Sequence, residues 1–348
     1  MENRFGLSAD QLERAADLHR RAIVIDGLIS SKLDRDGAAS LAAGGVTASN
    51  YTAAFPHHDL GQSLADLVAV RRAVAALDET LALATSVREI EQAKRDGRSA
   101  LILGLQHAPG LGEHPSIAEA FHALGVRIIQ LTYNEPSPLG SSCLMPDDGG
   151  LTARGREVVA ALNDARVLID LSHVGDQTSR EVIKASAAPV AFTHANPRAF
   201  CDSPRNKPDD LLRALADRGG VIGVCCWGPI CWTSTQTAPT IETFLDAIDY
   251  TVRLIGPDHV GISTDQTEGI FTDRETWYRT WGPGGHYPAM VRHLAWYTFE
   301  RRWVEGLDRP FHLPRLTQGL VARGYTDADI LKILGGNFLR LFHEVWGD

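Results

Sequence analysis

The sequence predicts a (β/α)8 TIM barrel with a C-terminal helical cap. Eight short apolar runs alternate with amphipathic segments at helical spacing, the pattern of a parallel sheet flanked by helices. No Pro/Gly/Ser-rich linker divides these units, so the 348 residues read as a single barrel domain. An open doubly wound sheet is the alternative, weakened because no G-x-G-x-x-G follows the first strand.

Residues 8–21 carry Leu and Ala at helical spacing and are expected to form an N-terminal helix, with the barrel over 22–265. The expected strands are "AIVIDG" (22–27), "GVTASNYT" (45–52), "SALILGLQ" (99–106), "VRIIQLTY" (126–133), "VLIDLSH" (167–173), "PVAFTHA" (189–195), "GVIGVCCW" (220–227) and "HVGISTD" (259–265). Helices are expected at 116–125, 152–165, 176–187, 208–220 and 240–256, several opening on Ser, Thr or Asp and closing on Gly as helix caps prefer. The segment 268–312, rich in Trp, Tyr, Gly and Pro, is too long for a plain connection and is read as a lid or a subunit contact. Helices over 314–346 complete the chain, with Thr326 and Asp329 as an N-terminal cap and Gly335 and Gly336 interrupting the last helical pattern.

A formal charge of -9 with scattered Lys and Arg leaves no basic footprint for nucleic acid or an anionic membrane, so a small molecule is the expected partner. The polar start lacks the apolar core of a secretory signal, and no apolar run approaches the roughly 18 residues of a membrane span; a cytoplasmic location is expected. Five cysteines, an odd number, argue for reduced thiols. "CCWGPIC" is read as buried structural cysteines, with Cys225 and Cys226 on opposite sides of a strand.

Active sites of such barrels form at the C-terminal ends of the strands, so polar residues terminating apolar strands are the candidates. They are Asp26, Gln106 with His107, Tyr133 with Asn134, Asp170 with His173, His194 with Asn196, and Asp265. His173 and His194, on adjacent strands, can converge on one cation, and Asp265 closes the ring because the eighth strand returns beside the first. A histidine at a strand end also serves as a hydrogen-bonded cap; three suitable groups at three strand ends favour a site.

At these residues the sequence resembles the membrane (renal) dipeptidase family of metal-dependent peptidases, barrels of the wider amidohydrolase group. The matching segments are "GLTARGREVVAALNDARVLIDLSHVGDQT", "PVAFTHANPRAFCDSPRNKPDDLLRALADRGGVIGV", "DHVGISTD" and "LGGNFLRLF", in the family's order from about residue 99 onward. The resemblance implies a binuclear zinc site held by His-x-Asp at the first strand, a bridging Glu at the third, His at the fifth and sixth, and Asp at the eighth. His173, His194 and Asp265 match the last three. "DGLIS" places Leu28 and Ser30 at the first pair, "LGLQH" places Gln106 at the bridging Glu, and Tyr133 replaces a substrate-facing His. Leu has no lone pair to donate and Gln lacks the charge that bridges two cations.

The expectation is therefore one divalent metal ion, zinc first, on His173 and His194, with Gln106 or His107 as third ligand. Asp265, released from metal ligation, becomes the catalytic acid and base. Arg205 matches the family's substrate-binding Arg, and its local reading alone leaves a salt bridge to Asp209 or Asp210 equally open. Tyr133 and Asn134 are expected to line the pocket. The expected activity is metal-dependent hydrolysis of an amide or peptide-type bond in a small carboxylate-bearing substrate. The alternatives are a catalytically silent scaffold and a non-hydrolytic enzyme using Asp265 as base. A homodimer is implied by the resemblance. The histidines of "FPHHDL" (55–60) and "GGHYPAM" (284–290) are read as solvated or lid residues rather than ligands.

Overall fold

A computed structural model describes residues 3–135, 137–233, 237–282, 285–286 and 298–347. All eight expected strands form: β1 (Ile25–Ile29), β2 (Ala48–Thr52), β4 (Ser99–Leu105), β5 (Val126–Gln130), β6 (Leu168–Asp170), β7 (Ala191–Ala195), β8 (Val221–Cys225) and β9 (Val260–Ser263), with a short extra β3 (Leu81–Leu83). Each pairs in parallel with its neighbour, and β2 pairs directly with β4, which closes the eight staves into a barrel. The unexpected β3 extends the start of β4, Leu81 opposite Ser99; three residues are too few to show a period in sequence.

The helices stand close to where the periodicity puts them, and their caps explain why. Ser8 accepts from the Gln11 N–H while the Gln11 side chain bonds back to Ser8, opening the helix Ala9–Arg21. Thr152 accepts from the Gly155 N–H and opens Ala153–Asp164; Thr326 caps Asp327–Leu331 through the Asp329 N–H, as its sequence suggests. The helical pattern around Gly335 and Gly336 is accommodated by a π-turn over Lys332–Gly336.

The final helix, Asn337–Trp346, plugs the lower end of the barrel. Phe338, Leu341 and Phe342 pack against the inward Ile25, Ala100, Ile128, Leu168 and Val221. Burial of each large apolar side chain contributes about 1.5–3 kcal/mol. Gly261 makes room for this plug, since a Cβ there would lie 2.5 Å from Phe338 Cε2. Closing one end with apolar side chains leaves the other end, where the strands terminate, to hold polar groups.

The five cysteines are all buried free thiols. Cys225 packs with Trp227 and Trp277, whereas Cys226 joins the main core, the opposite orientation expected of neighbours on a strand. In the excursion, a helix Arg274–Trp281 carries a buried Trp277. Residues 283–284 and 287–297, part of the expected lid or contact segment, lie outside the described residues.

Candidate active site

Above the C-terminal ends of the staves lies a cleft, to which seven of the eight barrel staves contribute through Ser30, Thr52, Gln106, Tyr133, His173, Trp227 and Asp265. These residues follow β1, β2, β4, β5, β6, β8 and β9 or close their last turn. Phe55, Phe271, Trp281 and Trp303 build its upper wall, so the described part of the excursion faces this cleft.

His173 reaches its polar floor, and His194 lies fully buried beside it, outside the lining of the cleft. Their Nε2 atoms stand 3.1 Å apart, and both rings are buried. The Nδ1 of His173 donates to Asn134 Oδ1 at 2.7 Å. The Nδ1 of His194 meets Thr193 Oγ1 at 2.8 Å, and that hydroxyl spends its own proton on Asp170 Oδ2 at 2.7 Å, so it accepts from the imidazole. Each ring therefore carries its proton on Nδ1 and turns its Nε2 lone pair toward the other. Burial, reinforced by the Arg205 guanidinium, holds both histidines well below their ordinary pKa and hence neutral.

Local backbone irregularities aim these groups. The β7–β8 register shifts between Phe192 and Ala195, at His194, and the β1–β2 register shifts between Asp26 and Ile29, beside Leu28. Asp265 has φ +50°, a left-handed conformation uncommon outside glycine, and its N–H donates to Leu28 O at 2.9 Å. Burial pushes the Asp265 carboxyl up to about 7; Arg205 opposes the shift and Asp26 adds to it. Asp26 itself is a strap between staves, accepting from the Thr264 N–H and hydroxyl and from the Leu28 N–H.

Three expected placements change. Asn134 does not line the cleft; it lies behind His173 and orients it. Arg205 is fully buried and also absent from the cleft wall: its Nη1 and Nη2 donate to the carbonyls of Ser172 and His194, so it binds main chain beneath the histidines rather than a ligand or Asp209 and Asp210. Main-chain carbonyls one residue before His173 and at His194 take its two Nη groups because Ser203–Asn206 folds back under β6 and β7, whereas its buried Nε has no hydrogen-bond partner among the described residues. His107 faces a neighbouring depression lined by Pro56, His57 and His286, with its Nε2 on His58 O at 3.0 Å, so it does not converge on the histidine pair. Burial holds its imidazole down at about 4. Gln106 does reach the cleft, where its Nε2 donates to Thr52 Oγ1 at 2.9 Å.

The Nε2 separation is compatible with both rings sharing one cation. Two imidazole nitrogens at about 2.0–2.1 Å from one tetrahedral zinc lie roughly 3.3 Å from each other, close to the 3.1 Å observed. Among the described residues no three His, Cys, Asp or Glu side chains converge as a ligand set. Leu28 and Ser30 offer no charge where a companion ion would need it.

Sequence reasoning missed Thr52 and Thr193. Threonines in strands are ordinary packing residues, and no spacing distinguishes one that relays a hydrogen bond to an imidazole.

A closed parallel barrel with a buried histidine pair at the ends of adjacent staves defines the class: a TIM-barrel protein of the amidohydrolase kind. The sequence model of the membrane dipeptidase family, peptidase family M19, matches residues 12–277, and the chain belongs to that family. Dipeptidase 3 of Homo sapiens is 27% identical over 292 residues, covering 80% of this chain and 53% of that protein. The chain spans about half the length of the curated relatives it matches. Among solved structures, an amidohydrolase from Pseudomonas aeruginosa is 32% identical with a TM-score of 0.88, covering 96% of this chain and 99% of that one. A metallo peptidase from Rhodobacter sphaeroides, solved with a phosphinate mimic of the dipeptide L-Ala-D-Ala, shares the fold with a TM-score of 0.75 at 19% identity.

Proposed function

We propose that the protein is a divalent-metal-dependent hydrolase of an amide or peptide-type bond in a small molecule, using a single ion. One observation carries this: two buried, neutral imidazoles bring their Nε2 atoms to 3.1 Å from each other while their Nδ1 atoms are bonded elsewhere. A cation between the two nitrogens would be ligated by both.

His173 and His194 would hold the ion, with Gln106 Oε1 or water available to complete its shell. Once bound, a divalent ion lowers the pKa of a bound water toward neutrality and polarises a carbonyl. Asn134 and the Thr193–Asp170 pair fix the imidazole tautomers, a role that makes the ring nitrogens better donors. Asp265 lines the same cleft, and a carboxyl poised at about 7 can take a proton at its oxygen and return it to a departing nitrogen. Tyr133 stacks on His173 with ring centroids 4.3 Å apart, which keeps that face of the imidazole dry.

A silent binding protein is the second reading, favoured by the uncharged Leu28, Ser30 and Gln106. Elemental analysis of the purified protein, joined to a screen of dipeptides and N-acyl amino acids with added zinc or manganese, separates the two. The hydrolase reading expects about one ion per chain and turnover that His194→Ala abolishes. Protein free of metal after incubation with millimolar zinc, and inert on every substrate, leaves only the scaffold.

A further inference from the structure

Opposite the histidine pair, three neutral side chains from three staves are bonded into one cluster on the cleft wall. Ser30 Oγ donates to Thr52 Oγ1 at 2.8 Å, and Gln106 Nε2 donates to the same oxygen at 2.9 Å. Both lone pairs of the Thr52 hydroxyl are thus filled, and its proton remains to be donated. The Gln106 amide likewise has a second N–H. No charged side chain among the described residues hydrogen-bonds to any of the three.

Two other charged groups of the cleft are engaged: Asp66 accepts from His58 Nδ1 at 2.6 Å, and the Arg302 guanidinium lies 3.5 Å from the Phe299 ring while donating to Phe299 O. The Asp265 carboxyl lines the same cleft. The apolar part of the wall includes Phe55, Phe271, Trp227, Trp281 and Trp303. Such a surface offers large apolar contact and two neutral donors side by side.

We propose that Thr52 and Gln106 form a two-donor clamp for a carbonyl oxygen, with Ser30 orienting Thr52, and that the cleft selects N-acyl amino acids with an aromatic or bulky apolar side chain over those with a small one. The proposal deepens the reading of this cleft as a hydrolytic pocket and rests on it for the location of the ligand. An oxygen with two lone pairs accepts from the Thr52 O–H and the Gln106 N–H together, while the acyl-bearing side chain packs on the tryptophans. Neutral hydrogen bonds to a substrate discriminate strongly when their loss leaves a polar group unpaired in a dry site.

Isothermal calorimetry on the purified protein tests this without requiring turnover. N-acetyl-phenylalanine is expected to bind at least about tenfold more tightly than N-acetyl-glycine. Thr52→Val should weaken N-acetyl-phenylalanine about tenfold, and Thr52→Ser should restore it, which separates the lost hydroxyl from a folding defect. Equal or tighter binding of N-acetyl-glycine overturns the side-chain selection, unchanged N-acetyl-phenylalanine affinity in a folded Thr52→Val protein overturns the clamp, and no binding of that ligand at millimolar concentration overturns both. Selective binding without hydrolysis would sustain the clamp and defeat the hydrolase reading.

Discussion

Asn134 Oδ1 and His173 Nδ1 lie 2.7 Å apart, and this contact decides which nitrogen of the ring is free to bind a cation. Both imidazoles are expected in the Nδ1–H tautomer, visible by nitrogen-15 correlation spectroscopy on ring-labelled protein, with zinc shifting Nε2 alone. Asn134→Ala should weaken metal affinity about 10- to 100-fold while leaving the ion count unchanged at saturation. Nε2–H tautomers in both rings would contradict the assignment.

Asp265 gives the pH dependence. Its carboxyl is raised from the ordinary range to about 7, chiefly by burial, so catalysis that needs the carboxylate should rise through neutral pH and fall on the acid side. Asp265→Asn should cut turnover at least about 100-fold without altering metal content. Stability moves the other way. Between about pH 4 and pH 7 the native chain retains a proton that the unfolded chain has released, so stability declines as pH rises through that window and then levels. Asp26, also pushed up to about 7 by burial, contributes the same slope. Urea denaturation near the two ends of that window should show a smaller decline for Asp265→Asn than for the native chain.

Arg205 should behave as a structural cation. Arg205→Met leaves the Ser172 and His194 carbonyls without donors, and a loss of about 2–4 kcal/mol is expected, read as a lowered melting temperature and weaker metal binding together. A variant with native melting and metal affinity but a raised KM would instead make Arg205 a substrate clamp.

Substitution tests for a second metal position. Replacing Leu28, Ser30 and Gln106 with His, Asp and Glu supplies the charged ligands that the family resemblance associates with these positions. Elemental analysis of L28H/S30D/Q106E should then find about one ion per chain more than the unsubstituted protein. An unchanged count would mean the backbone around β1 no longer presents those positions to the cleft.

Much of this was legible in the chain. The strands around His173, His194 and Asp265 could be read because an apolar run must end where polar side chains begin, and in a barrel all such ends meet on one face. Arg205 and His107 were misplaced for the opposite reason. Both sit in irregular loops, where one residue of backbone path decides whether a side chain enters the cleft or turns beneath it, and no periodicity reports that path. Tyr133 and Asn134 are adjacent in sequence, yet one faces the cleft and the other backs a histidine.

The alternation of apolar strand and amphipathic helix pointed by itself to the barrel and to the strand ends where His173, His194 and Asp265 stand, since burial periodicity is written locally along the chain. Only the folded structure decided which nitrogen each imidazole offers, that Thr52 gathers Ser30 and Gln106 into one neutral cluster, and that Arg205 serves the backbone. Those outcomes depend on distances between staves and on bulges that re-aim single residues, and such distances are set only when the barrel closes.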